Sequence, residues 1–254
     1  MDEDLLSRIE DASLNASAPT QQLWMDGWIV RTSPGKARRS RCVNAVAIGR
    51  LPVDQKLALA ATTFRAAGLP MLVRITRFSQ PAGLDAQLAS RGWQAVDDTQ
   101  VMVCPRLPNT STANSPAGTQ WQRLDADTYA QEVGALRGSP PEQRLAHAQR
   151  LAQSPVLYEG YALRRVSDGQ VLVCGQFALE AQFVGLYDVF TRHSERGQGL
   201  ASLLCERLLY IAALAGAQVA YLQAEADNLV ARRVYQRLGF TDAYSYHYRQ
   251  PPAA

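Results

Sequence analysis

One turn constrains this chain more than any other stretch. Gly197-Gln198-Gly199 stands between an apolar run, Phe183–Thr191, and a segment, Gly199–Ala215, in which Leu200, Leu203, Leu204, Leu208 and Ile211 recur every three to four residues. The first reads as a strand and the second as an amphipathic helix. Glycines in such a turn let the backbone approach a ligand closely. The unpaired N–H groups and the dipole at the start of the helix favour an anion there. A diphosphate is the natural guest. The stretch is not a P-loop, because no Gly-Lys-Ser/Thr is present, and it lacks the third glycine of the dinucleotide fingerprint.

The rest of the second half alternates in the same way. Tyr158–Val166 and Val171–Leu179 read as strands joined by the turn Ser167-Asp168-Gly169. Gln218–Ala224 reads as a strand, Asn228–Leu238 as a helix with Gly239 at its C-terminal cap, and Phe240–Tyr248 as a last strand. A helix between strands at this spacing implies a parallel crossover and hence a mixed sheet. In the first half a helix-like start (Leu5, Leu6, Ile9) precedes a strand around Trp24–Arg31. Val53–Ala67 then reads as a helix, Met71–Thr76 as a strand, Leu84–Arg91 as a helix and Trp93–Cys104 as a strand.

Residues 105–120 are polar and small with Pro and Gly, and read as a linker between halves at 1–104 and 121–254. The halves echo each other. Gly68 and Gly92 bracket a strand–helix unit 24 residues long, and Gly216 and Gly239 bracket another of 23. The expected fold is α/β, with two related halves, each a mixed, partly antiparallel sheet flanked by helices.

Composition narrows the classes. Hydrophobic residues make up 47% of 254, enough for a packed core. No apolar run reaches the roughly 20 residues that span a bilayer, and the acidic start Met1-Asp2-Glu3-Asp4 does not read as a signal peptide. The net charge of +3 is too small to imply nucleic acid. Cys42, Cys104, Cys174 and Cys205 lie far apart among apolar residues, which implies neither a metal site nor disulfides, and a reducing cytoplasm. Lys36-Ala37-Arg38-Arg39-Ser40-Arg41 is the densest basic run and reads first as a solvated loop.

The glycine turn, read as Arg196-Gly197-Gln198-Gly199-Leu200-Ala201, resembles the Arg/Gln-x-x-Gly-x-Gly/Ala signature of the GNAT superfamily of N-acetyltransferases. A second block, Asn228-Leu229-Val230-Ala231-Arg232-Arg233-Val234-Tyr235-Gln236-Arg237-Leu238-Gly239-Phe240, is similar to the family segment Asn-x-x-Ala-x-x-x-Tyr-x-x-x-Gly-Phe. The resemblance covers residues 121–250. The ending Tyr246-His247-Tyr248-Arg249, and more loosely Trp24–Arg31, look like a bacterial subgroup with a degenerate first repeat. The first half carries no Arg-x-x-Gly-x-Gly/Ala, and Leu88 and Pro81 stand where Tyr235 and Asn228 stand in the second. It is expected to wall the substrate cleft rather than to bind acetyl-CoA.

The resemblance implies acetyl-CoA as co-substrate, lying in a V between Phe183–Thr191 and Gln218–Ala224. Its pantetheine would run along Asp188, Val189 and Phe190 and reach Asn228. Its diphosphate would sit on Arg196, Gly197, Gln198, Gly199, Leu200 and Ala201. Tyr235 would touch the cofactor and protonate the leaving thiolate, and the acceptor would be a small-molecule or peptide primary amine attacking directly in a ternary complex. Tyr235 could also simply pack, and Asn228 could serve only as a helix N-cap. Candidates for a base are Glu180, Glu225 and Asp188, with a water chain as the alternative. His193 falls on the phosphate side, out of place for a base. No metal, nucleic acid or membrane is expected, and the chain would act as a monomer or homodimer. A different class, a non-catalytic acyl-CoA-binding sensor or interaction module, carries the same signature.

Overall fold

The computed structural model describes residues 1–107 and 115–252. The elements run α1 (Glu3–Ala16), β1 (Gln22–Met25), β2 (Trp28–Arg31), β3 (Val43–Ala45), α2 (Val53–Ala66), β4 (Val73–Ile75), α3 (Leu84–Ser90), β5 (Gln94–Cys104), β6 (Thr119–Leu124), α4 (Ala126–Arg137) and α5 (Pro141–Ala152). They continue with β7 (Leu157–Arg165), β8 (Val171–Glu180), β9 (Phe183–Thr191), α6 (Leu200–Leu214), β10 (Val219–Glu225), α7 (Leu229–Arg237) and β11 (Thr241–Gln250). Among the described residues no helix is long and apolar enough to cross a membrane.

The chain divides into two compact units. One holds Met1–Ala16, Val101–Ala224 and Asn228–Ala243; the other holds Ser17–Gln100, Glu225–Asp227 and Tyr244–Ala254. This is not the expected division at 104 and 121. Leu6, Ile9 and Ala12 give α1 a buried face, and Ile9 and Ala12 pack with Val103, Phe183 and Val219, so the first helix belongs with the later strands. The end of β11 pairs with β4, His247 opposite Ile75, so the last strand belongs with the early ones. Of the expected linker, residues 108–114 lie outside the described residues, and Thr119-Gln120 already pair with β7 as the start of β6.

In the first unit the strand order is β11-β5-β10-β9-β8-β7-β6. Strands β6 to β9 run antiparallel to their neighbours and β9 runs parallel to β10, the crossover being α6. Leu200, Leu204, Cys205, Leu208, Leu209 and Ala212 form the buried stripe of α6, packed on Val173, Phe177, Val184 and Leu186. At roughly 1.5–3 kcal/mol for each fully buried large aliphatic side chain, this stripe fixes α6 against the sheet.

The second unit repeats that order of elements. Strands β1, β2 and β3 are antiparallel, β3 and β4 are parallel through α2, and α3 and β5 follow. What reads as one strand at Trp24–Arg31 is a hairpin. Asp26-Gly27, with φ of +45° and +84°, turns the chain between β1 and β2, as an Asp-Gly pair favours. Gly68, Gly92, Gly216 and Gly239 all have positive φ, so the paired glycines of the two halves do the same conformational work after their helices.

Candidate active site

The site is built on an irregularity in β9. Pairing of β8 with β9 runs from Glu180↔Phe183 to Gln176↔Tyr187, then shifts and resumes at Cys174↔Phe190. The extra residue bulges the strand, and Asp188 takes a φ of +54° there. Gly175 faces the bulge. A Cβ on it would lie 2.8 Å from Leu204 Cδ2 and 3.2 Å from Val189 Cγ2, so glycine is what lets α6 approach the sheet.

On the other edge of β9 the parallel ladder with β10 runs from Val219↔Phe183 to Leu222↔Leu186 and ends. Residues 187–191 and 223–225 continue as strand beyond it, so the two strands part at the bulge. Beyond Leu186↔Leu222 the two strands no longer pair with each other, and backbone groups left facing a gap need partners.

The parted edge leads into the glycine turn. Arg192 anchors it, its amide donating to Leu172 O at 2.8 Å and its Nε to Val171 O at 2.7 Å. A short 3-10 turn at His193–Glu195 follows, and Glu195 is held by Arg165 at 2.7 Å and by Gln198 at 3.2 Å. Gly197 and Gly199 have φ of +80° and +75°, and a Cβ on either would meet nothing within 4 Å. The turn is therefore glycine for its backbone and leaves free space above it. The first-turn amides of α6 have no acceptor one turn back. The Arg196 guanidinium lies 5.5 Å over the Phe190 ring, and that of Arg137 lies over the same ring at the same distance. Exposed amides, open space and a cation, with the nearby Glu195 already paired, fit a diphosphate.

The corresponding turn of the second unit is filled. Between β3 and α2 the amides of Arg50 and Leu51 donate to the Asp26 carboxylate at 2.9 and 2.7 Å. A Cβ on Gly49 would strike Asp26 and Lys56. The protein's own carboxylate sits where an anion would have to bind.

The Asp188 side chain has three partners. Arg137 donates to Oδ1 at 2.7 Å and the Gln176 amide to Oδ2 at 2.8 Å, while His147 Nε2 lies 3.4 Å from Oδ2. Tyr129 donates its hydroxyl to the Asp188 backbone oxygen at 3.1 Å. Burial alone would raise the Asp188 carboxyl, but the hydrogen bond with His147 and the charges of Arg137 and Arg150 hold it well below the usual carboxylate range. Such a group is a fixed negative charge and a poor base.

Tyr235 sits half-buried on α7, its ring 6.1 Å from that of Phe240. Burial, then proximity to Cys205, pushes its hydroxyl well up, with Arg137 opposing. The hydroxyl makes no hydrogen bond with any described residue, so at neutral pH it is a proton donor without a partner. Asn228 caps α7, its Oδ1 accepting from the Ala231 amide at 3.1 Å.

Of the other two carboxylates, the structure places one, Glu180, away from the bulge. Glu180 pairs with Phe183 at the hairpin end of β9 and accepts from Asn15 at 2.8 Å. The strands part at the opposite end. Glu225 is exposed at the end of β10 and belongs to the other unit.

The residues that the sequence reading did not single out come from α4 and α5. They are Tyr129, Arg137 and His147, together with Gln176 from β8. The caps were present as signals: Asp125 accepts from the Thr128 amide at 2.8 Å, Gly138 ends α4 with φ of +65°, and Pro141 opens α5. These helices and β6 to β8 enclose a cleft of about 700 Å³ lined by Arg123, Asp125, Tyr129, Leu151, Tyr158 and Gln176 among others. Among the described residues no group of three or more His, Cys, Asp or Glu is placed to hold a metal ion.

Residues 6–249 match the family described as "Probable histone acetyltransferase Rv0428c C-terminal". The chain is 24% identical over 225 residues to an uncharacterized N-acetyltransferase, YobR, of Bacillus subtilis strain 168, covering 87% of this chain and 89% of that one. Its fold is similar to that of a GCN5-related N-acetyltransferase from Kribbella flavida, with a TM-score of 0.70 at 19% identity, over 98% and 96% of the two chains. It is also similar to a tandem GNAT protein from the clavulanic acid biosynthesis pathway, with a TM-score of 0.60 at 14% identity, over 79% and 70%. The chain thus belongs to the Rv0428c C-terminal family of probable acetyltransferases, and its fold is that of GCN5-related N-acetyltransferases.

Proposed function

We propose that the protein moves an acetyl group from acetyl-CoA to a primary amine by direct attack in a ternary complex. The observation that carries this reading is the parting of β9 from β10 after Leu186↔Leu222, at a bulge whose free edge leads to the open turn Gly197–Gly199. In this reading the pantetheine arm pairs with the edge at Asp188, Val189 and Phe190. The diphosphate takes the amides from Gly197 to Ala201, with Arg196 beside it. Asn228 adds a contact to the arm while capping α7.

Acetyl-CoA supplies the thioester carbonyl that the amine attacks. Tyr235 holds a proton on its hydroxyl throughout the physiological range, because burial disfavours the phenolate. It gives that proton to the departing sulfur, which would otherwise leave as a thiolate. The second unit, with its own turn closed by Asp26, descends in this reading from a duplicated copy and takes no acetyl-CoA.

Titration calorimetry with acetyl-CoA, followed by a free-thiol assay across a panel of primary amines, tests the reading. Micromolar binding with amine-dependent thiol release supports transfer. Binding with no thiol release from any amine or from water would favour a sensor of acyl-CoA instead, and no binding would end both.

A further inference from the structure

The sequence offers three carboxylates as base, and the structure leaves two of them, Glu180 and Asp188, unsuited to the work. Glu180 lies at the paired end of the hairpin, and the Asp188 oxygens are taken by Arg137 and Gln176. What Asp188 does hold is a histidine. His147 Nε2 lies 3.4 Å from Asp188 Oδ2 and 3.5 Å from the Gln176 amide nitrogen, which itself donates to that carboxylate.

The Gln176 amide at 3.5 Å could donate to a lone pair on Nε2, but the ionised Asp188 oxygen at 3.4 Å repels that lone pair more strongly than a neutral amide attracts it, so Nε2 carries the hydrogen and Nδ1 the lone pair. Nδ1 makes no hydrogen bond with any described residue, and the His147 side chain keeps 19% of its surface exposed. The imidazole ring stands edge-on to Tyr129, 6.2 Å between centroids. One turn further along α5, Leu151 lines the 700 Å³ cleft, as do Tyr129 and Gln176, the two neighbours of the imidazole. The charged and titratable groups around the pair are Asp188 on β9, Arg137 and Tyr129 on α4, Cys174 on β8, Tyr158 on β7 and Arg150 on α5 itself.

We infer that His147, oriented by Asp188, is the base that frees the acceptor amine, which enters through the cleft of α4, α5, β7 and β8. The inference rests on the proposed amine transfer. The acceptor ammonium gives one proton to Nδ1. The amine nitrogen bonds to the acyl carbon, the carbon–sulfur bond breaks, and the sulfur takes the Tyr235 proton. The second proton of the nitrogen returns to the tyrosinate, and the imidazolium sheds its own to solvent, so each amide formed releases one proton. Asp188 stabilises the imidazolium without being protonated.

Two measurements decide it. In the full chain labelled with 15N-histidine, NMR above neutral pH should show His147 protonated on Nε2, and Asp188→Asn should disturb that tautomer. A ring protonated on Nδ1 overturns the inference, whatever acceptor is used. With acetyl-CoA and phenethylamine as probes, kcat/KM should fall on the acidic side of its pH profile, as a base-dependent step requires. His147→Gln should lose that limb and about 10²-fold or more of the rate, with acetyl-CoA affinity unchanged, and imidazole should partly restore His147→Ala. Unaltered rate and limb in His147→Gln overturn the role. Failure of the wild-type chain to bind acetyl-CoA would instead sink the proposed function, and the tautomer would still report on the pair.

Discussion

The Lys56 ammonium lies 3.2 Å from the Asp26 carboxylate with its side chain wholly buried, and it also donates to the backbone oxygens of Asp26 and Ile48. The same carboxylate takes the amides of Arg50 and Leu51, so one residue closes the turn of the second unit. Those two amide bonds, opposed by partial burial and helped by Lys56, hold the Asp26 carboxyl below its usual range. A carboxyl lowered on folding adds stability above its unfolded pKa and loses it as pH falls through the folded one. The urea midpoint of the chain should therefore drop below about pH 4. Asp26→Asn should be less stable at neutral pH, because Lys56 is left charged and unpaired, and should lose part of that acid dependence. Equal midpoints for the two proteins at pH 7 would refute the role of Asp26.

At the open turn the expectation is reversed. Nothing stands within 4 Å of a Cβ at Gly199, yet its φ of +75° disfavours any side chain and above all a β-branched one. Gly199→Val should cost about 1–2 kcal/mol of stability as a left-handed non-glycine residue, and its bulk, placed where the diphosphate is proposed to sit, should weaken acetyl-CoA binding by about tenfold or more, about 1.4 kcal/mol. Calorimetry measures it. Gly68→Ala, in a positive-φ position of the other unit, should cost stability without changing the affinity, which separates strain from binding.

Tyr235→Phe removes the proposed donor and keeps the ring that meets Phe240. Turnover should fall by about 10²-fold or more, with acetyl-CoA affinity and melting temperature little changed. Because burial pushes the Tyr235 hydroxyl well above its ordinary value, its protonated form persists as pH rises. No alkaline loss of activity below about pH 10 should then come from this residue. A rate of the Phe variant close to wild type would assign Tyr235 to packing alone.

Much of the site was legible because its signals are local. The turn Gly197–Gly199, the α6 stripe and Asn228 with Tyr235 each rest on spacing within one element, and the elements lie where the spacing puts them. The position of Glu180 was illegible for a nonlocal reason. Glu180 is on the right hairpin, but only the ladder register shows that it sits at the end where β9 and β10 are still paired. Helix α5 was missed because its apolar face is thin, with Ala148 and Leu151 buried and Leu145 exposed. Its value lies in His147 and Arg150, which periodicity weighs as surface. The exchange of α1 and of the end of β11 between units is decided by pairing over more than 150 residues, which no local pattern encodes.

The last prediction concerns the bulge itself. Arg137 ties α4 to Asp188 at 2.7 Å, and both side chains keep less than a third of their surface exposed, 30% and 24%. Burial works against the Arg137 charge, but the charge of Asp188 and its hydrogen bond raise the guanidinium above its usual range, so the pair favours both ionised forms. Arg137→Gln should cost about 1.5–3 kcal/mol, the scale of a hydrogen bond to a charged group. Urea denaturation at pH 7 measures it. The loss should shrink in acid, where protonation of Asp188 removes the charge that Arg137 neutralises. Arg137→Lys should recover only part of it, since a point charge cannot both bond Oδ1 and lie flat over Phe190. If Arg137→Gln were as stable as wild type at pH 7, the shape of the bulge would have to come from the β8–β9 register and Gly175 without help from α4.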